Sequence, residues 1–72
     1  MKKRFKMQDL DCANCAAKME AAIRKLDVVN DVTVDFMGQK LTLDADDARF
    51  DDILQQAAQI CKKVERHCTI LY

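Results

Sequence analysis

The sequence contains no proline, a single glycine (Gly38) and a single histidine (His67). With so few chain breakers, a compact globular fold with short loops is expected and disorder is not. The missing proline also excludes the Cys-Gly-Pro-Cys sequence and the cis-proline that accompany thioredoxin-type redox sites. No stretch approaches the roughly 20 apolar residues of a membrane span. The basic start Met1-Lys2-Lys3-Arg4 is not followed by the apolar run of a secretory signal. Net charge is lacking too: 12 Lys and Arg balance 12 Asp and Glu, which excludes the broad basic surface that nucleic acids require. The one basic run, Lys2-Lys3-Arg4 with Lys6, reads as a solvated strand start. A length of 72 residues gives one domain, 1–72, with one modest core and no deep catalytic cleft. A cytoplasmic monomer is expected, and in that reducing setting the four cysteines serve as thiols or metal ligands rather than disulfides.

What is present is strongly patterned. Phe5 and Met7 alternate with Arg4, Lys6 and Gln8 at the period of a half-buried strand. From Asn14 onward, Ala16, Met19, Ile23 and Leu26 fall at helical steps, with Arg24 and Lys25 near the negative end of the helix dipole. Two further alternating runs, 31–36 and 40–44, flank Met37-Gly38-Gln39 and predict a hairpin in which Gly38 takes a positive φ. The acids Asp44, Asp46 and Asp47 read as caps and solvated charge rather than a calcium loop. Phe50, Ile53, Leu54, Ala57, Cys61 and Val64 trace the apolar face of a second helix, and 67–72 reads as a last strand. The order strand-helix-strand-strand-helix-strand predicts an α+β, ferredoxin-like βαββαβ fold, a four-stranded antiparallel sheet with both helices on one face.

Chemistry concentrates in Asp9-Leu10-Asp11-Cys12-Ala13-Asn14-Cys15, at the junction of the first strand and first helix. Placing Cys12 in the loop and Cys15 in the first helical turn lets both sulfurs converge outside the helix N-terminus. Free N–H groups and the dipole favour thiolate there. Three uses remain open for such a pair: soft-metal binding, dithiol redox chemistry, and half of a structural zinc site completed by Cys61 and Cys68. The wide spacing of Cys12, Cys15, Cys61 and Cys68 fits compact zinc-ribbon patterns poorly.

This stretch resembles the metal-binding loop of the heavy-metal-associated domain, found in soft-metal P-type ATPases and small copper chaperones, and the resemblance runs along the whole chain. The family motif Gly-Met-x-Cys-x-x-Cys falls on Asp9 to Cys15, with Asp9 in place of the Gly and Leu10 in place of the Met that anchors the loop to the core. The resemblance implies metal ligation by Cys12 and Cys15. Asp before the first Cys is the pattern of the zinc, cadmium and lead exporters. It implies Zn(II), Cd(II) or Pb(II) as the ion, and other domains of a P-type ATPase, or a metal donor or acceptor protein, as partners. The chain would then be a non-enzymatic N-terminal part of such a pump, with no span of its own and no Asp-Lys-Thr-Gly phosphorylation motif. A free-standing metallochaperone, Cu(I) included, is the alternative.

Elementary coordination chemistry bears on the ion as well. Cu(I) is satisfied by two or three thiolates and gains little from a hard carboxylate. A divalent ion with two thiolates and Asp11 has three of the four ligands usual for zinc. Asp11 as a helix cap is the competing role. Cys61, at the end of the second helix near the metal loop, is a further candidate thiolate, against its reading as a small core residue. His67 is a further candidate ligand, against its reading as a polar surface residue.

Overall fold

The computed structural model describes all 72 residues. Strand β1 (Lys2–Gln8) is followed by helix α1 (Ala13–Arg24), the hairpin β2 (Val29–Asp35) and β3 (Lys40–Ala45), a short 3-10 turn (Asp47–Arg49), helix α2 (Phe50–Val64) and β4 (Thr69–Leu71). The sheet order is β2-β3-β1-β4, antiparallel throughout, which is the expected ferredoxin-like arrangement.

Alternation decides which face is covered. Met7, Val32, Leu41, Leu43, Ala45 and Ile70 point to one side of the sheet, where Ala16, Met19 and Ile23 of α1 and Phe50, Ile53, Leu54, Ala57 and Cys61 of α2 meet them. No polar or charged residue is buried in this core. On the other side Lys2, Arg4 and Lys6 stay in water. α1 is also tied to the edge strand: Glu20 accepts a hydrogen bond from the Val34 N–H at 2.8 Å, and Arg24 donates to Asp31 at 3.0 Å and to the Val32 carbonyl at 2.8 Å. Those bonds occupy backbone groups that an edge strand would otherwise leave open. Arg24 therefore joins helix to strand, beyond the dipole role that its position alone suggests.

The hairpin differs from expectation. Gly38 does not take a positive φ; Gln39 does, at 53°. Glycine is needed at 38 for close approach instead. Its N–H donates to Asp35 Oδ1 at 3.0 Å, and a Cβ would stand 2.5 Å from Asp35 Oδ2. The acids after β3 are not helix caps either, since neither the 3-10 turn nor α2 has a side-chain cap. The last strand is shorter than the apolar run suggested, because Cys68 N–H bonds back to the Glu65 carbonyl at 3.1 Å and holds 65–68 in a turn.

Candidate metal centre

β1 ends where the chain must swing from the sheet into α1, and Asp9 makes that swing at φ 60°. Aspartate tolerates the left-handed region better than most residues, so it can stand where the family motif has glycine. Leu10 then drives into the core, 1% exposed, as an anchor should. Cys12 follows in extended backbone (φ −128°, ψ 115°) and is the N-cap of α1. Its Sγ accepts the Cys15 N–H at 3.1 Å, and its carbonyl accepts the Ala16 N–H at 3.0 Å. A sulfur thus does the work that Ser or Asp oxygen usually does at this position. Both sulfurs lie at the helix N-terminus, half-buried and free of any disulfide.

The two thiols are unequal. A hydrogen bond from the Cys15 side chain, followed by one from the Cys15 N–H, lowers the Cys12 pKa. The same side-chain bond, together with desolvation and the charge on Cys12, raises that of Cys15. Cys12 therefore gives up its proton before Cys15 does. Lys18 is the cation that lowers the Cys15 pKa against these effects. Lys62 and Lys63 occupy the last turn of α2, at the negative end of its dipole, and Lys62 donates to Thr69 Oγ1 at 3.2 Å.

Glu65, at the end of α2, went unnoticed in the sequence. Its charge reaches Cys12, Cys15 and Cys68 and raises the pKa of each, behind the hydrogen-bonding or burial effects that lead in each case. The turn it occupies lies at the β1–α1 end of the fold, so the connection after α2 was the place to look. In Glu65→Gln, removal of that charge is expected to move the alkylation profiles of both Cys12 and Cys15 to lower pH. Cys12 remains the faster at neutral pH. Mass-spectrometric mapping of iodoacetamide labelling against pH checks this, and unmoved profiles would place Glu65 away from the pair.

The other candidates fare differently. Asp11 is exposed and is not the cap, because Cys12 is. No three His, Cys, Asp or Glu side chains gather closely enough to hold an ion, so Asp11 does not stand with the two sulfurs as a finished three-donor set. Cys61 is fully buried, and burial, helped by the nearby Cys68, pushes its pKa up to about 12. A thiol that resists ionisation among apolar neighbours is a core residue and does not supply an extra thiolate. Cys68 is buried likewise. A zinc site built from all four cysteines is therefore not assembled. His67 is exposed on the 65–68 turn, where its backbone N–H faces Glu65 at 3.4 Å.

Comparison with known proteins bears on the same region. The family model described as the heavy-metal-associated domain matches residues 4–67. Over 56 residues, 74% of the chain, there is 45% identity with the zinc/cadmium/lead-transporting P-type ATPase of Escherichia coli (strain K12). Over 70 residues, 97% of the chain, there is 27% identity with the cadmium, zinc and cobalt-transporting ATPase of Bacillus subtilis (strain 168). The chain spans only 8% of the length of the first relative and 10% of the second. Among solved structures, the N-terminal domain of ZntA in its Zn(II) form superposes with a TM-score of 0.73 at 36% identity, over 97% of this chain and 88% of that one. The CopZ metallochaperone superposes with a TM-score of 0.76, over 99% of this chain and all of that one, at 14% identity, a likeness of fold alone.

Proposed function

The chain belongs to the heavy-metal-associated domain family, whose members bind soft metal ions, and from that premise we propose that it binds Zn(II), Cd(II) or Pb(II) through Cys12 and Cys15, with Asp11 as third donor. It would deliver or regulate the ion for a heavy-metal-exporting P-type ATPase, at the cytoplasmic face of the membrane. The observation that carries the reading is the thiol pair itself, fixed at a helix N-terminus where hydrogen bonds from Cys15 lower the pKa of Cys12.

Binding runs as proton exchange. Cys12 and then Cys15 give up their protons to solvent, and two sulfur–metal bonds replace the sulfur–proton bonds and two of the ion's bonds to water. Because the Cys15 pKa is raised, protons compete for this site above the ordinary thiol range, and affinity grows with pH until Cys15 is ionised. Rotation of the exposed Asp11 side chain brings a carboxylate to a divalent ion and leaves the complex near −1. A hard oxygen and tetrahedral preference suit Zn(II), whereas Cu(I) is content with the sulfurs. Identity with the zinc/cadmium/lead-transporting relative and with the Zn(II)-form domain supports the divalent reading. One coordination position left to water or an incoming ligand permits handover, in which a partner's donor bonds before a sulfur leaves. No helix here is long and apolar enough to cross a membrane, so any pump would supply its spans from other segments.

Competitive titration of the reduced protein tests the ion. Asp11→Asn is expected to weaken Zn(II) by at least about tenfold while Cu(I) affinity stays within about twofold. Equal losses for both ions would remove Asp11 as the source of preference.

A further inference from the structure

The β1–β3 ladder ends at Lys6↔Lys40, and Met7 N–H makes one more bond, to the Gln39 carbonyl at 2.8 Å. Beyond that point β1 parts from β3, keeping its pairing with β4 as far as Gln8↔Thr69, and after the turn at Asp9 Leu10 has no strand to pair with. Yet the Leu10 side chain is buried, which brings the adjacent peptide groups out of water with it. Buried N–H and C=O groups need partners. Both find one side chain: Gln39 Oε1 accepts the Leu10 N–H at 3.0 Å, and Gln39 Nε2 donates to the Leu10 carbonyl at 2.6 Å. The same Nε2 donates to the Phe36 carbonyl at 2.9 Å, which braces the carboxamide against its own hairpin. A side-chain amide thus does what the next residue pair of the ladder would have done.

The backbone of Gln39 gives a second, independent sign. It sits at φ 53°, a region that glycine occupies freely and a residue with a Cβ only at a cost. Such a conformation persists where surrounding bonds hold it, and here they are the bonds to Leu10 and Phe36. The Leu10 carbonyl belongs to the peptide that leads into Asp11. Holding it sets how the chain enters Asp11 and Cys12.

We propose that Gln39 is the positioning residue of the metal-binding loop: its carboxamide locks the Leu10 peptide groups, so that Cys12 and Cys15 meet the ion in a loop already set. The proposal rests on the metal-binding reading given above. Gln39 touches no metal; it acts through Leu10, as an outer partner orients a ligand.

Gln39→Gly separates the two functions of the residue, because it deletes the carboxamide while suiting the positive φ. Gln39→Asn keeps an amide and tolerates that φ but falls one methylene short, so it serves if the glycine variant folds poorly. In the metal-free Gln39→Gly protein, amide hydrogen exchange at Leu10 is expected to speed by at least about tenfold while core amides of β3 are little changed. Zn(II) affinity is expected to fall by about 10- to 100-fold, with the thiolate-to-metal absorbance of a Cd(II)-loaded sample unchanged at saturation. Unaltered Leu10 exchange would overturn the proposal, and so would accelerated exchange with unaltered Zn(II) affinity. Acceleration of every core amide together would assign Gln39 a purely structural role and overturn it too. Failure of the unsubstituted protein to bind Zn(II) would overturn the metal reading itself, a result distinct from these.

Discussion

Cys12→Ser and Cys15→Ser are each expected to abolish stoichiometric binding of Zn(II) and Cd(II), with a loss greater than the roughly 100-fold that a change outside the ligand shell produces. A hydroxyl is a poor soft-metal donor and stays protonated where a thiol ionises, so the variant site offers one sulfur where two converged. Folding does not confuse the result. Cys12 is the N-cap of α1, and serine is among the preferred N-cap residues. Its oxygen can accept the Cys15 N–H in place of the sulfur, so Cys12→Ser keeps the helix start while losing the metal. Cys15 is only half-buried, and its replacement leaves no large cavity. Cd(II) titration followed by thiolate charge-transfer absorbance, alongside thermal unfolding of the metal-free proteins, measures both parts. Unchanged binding in both variants would exclude this pair as the site.

Leu10→Ala is the second large effect, and it falls on the fold. Leu10 is a bulky side chain buried almost completely, and truncating such a residue costs about 2–5 kcal/mol. A chain of this size has roughly 4–11 kcal/mol to lose, so the variant gives up a large share of its stability. Leu10→Met, which restores the family residue, conserves volume and is expected to cost less than about 1.5 kcal/mol. Beyond the cavity, alanine frees the peptide groups that Gln39 holds, because the apolar side chain is what draws them inward. Urea unfolding of the three proteins decides the matter. A loss below about 1 kcal/mol for Leu10→Ala would mean that the loop is not anchored by this residue.

The element order was legible because both periods are clean. Phe5 and Met7 alternate along β1, while Phe50, Ile53, Leu54, Ala57 and Cys61 repeat at helical steps, and the inward face of each element follows from the repeat. The cysteine pair was legible for a related reason: a strand-to-helix junction is local, and a helix N-terminus brings its own dipole and free donors. Contacts between segments far apart in sequence were not legible. Gln39 lies 29 residues from Leu10, and nothing in Met37-Gly38-Gln39 indicates that its amide closes the metal loop. The positive φ was assigned to Gly38 by composition, yet the left-handed conformation falls on Gln39, where side-chain bonds hold it.

By itself, then, the sequence determined the βαββαβ order, the buried faces, and a thiol pair placed to take a soft ion, since each depends on residues within a few positions of one another. Tertiary structure decided which side chains surround that pair. It put Cys61 into the core, where desolvation keeps the thiol protonated, and brought the Glu65 carboxylate toward the sulfurs instead. It also gave the loop to Gln39 to hold. Burial and long-range hydrogen bonds arise only when the helices close over the sheet, so one dimension of sequence carries no record of them.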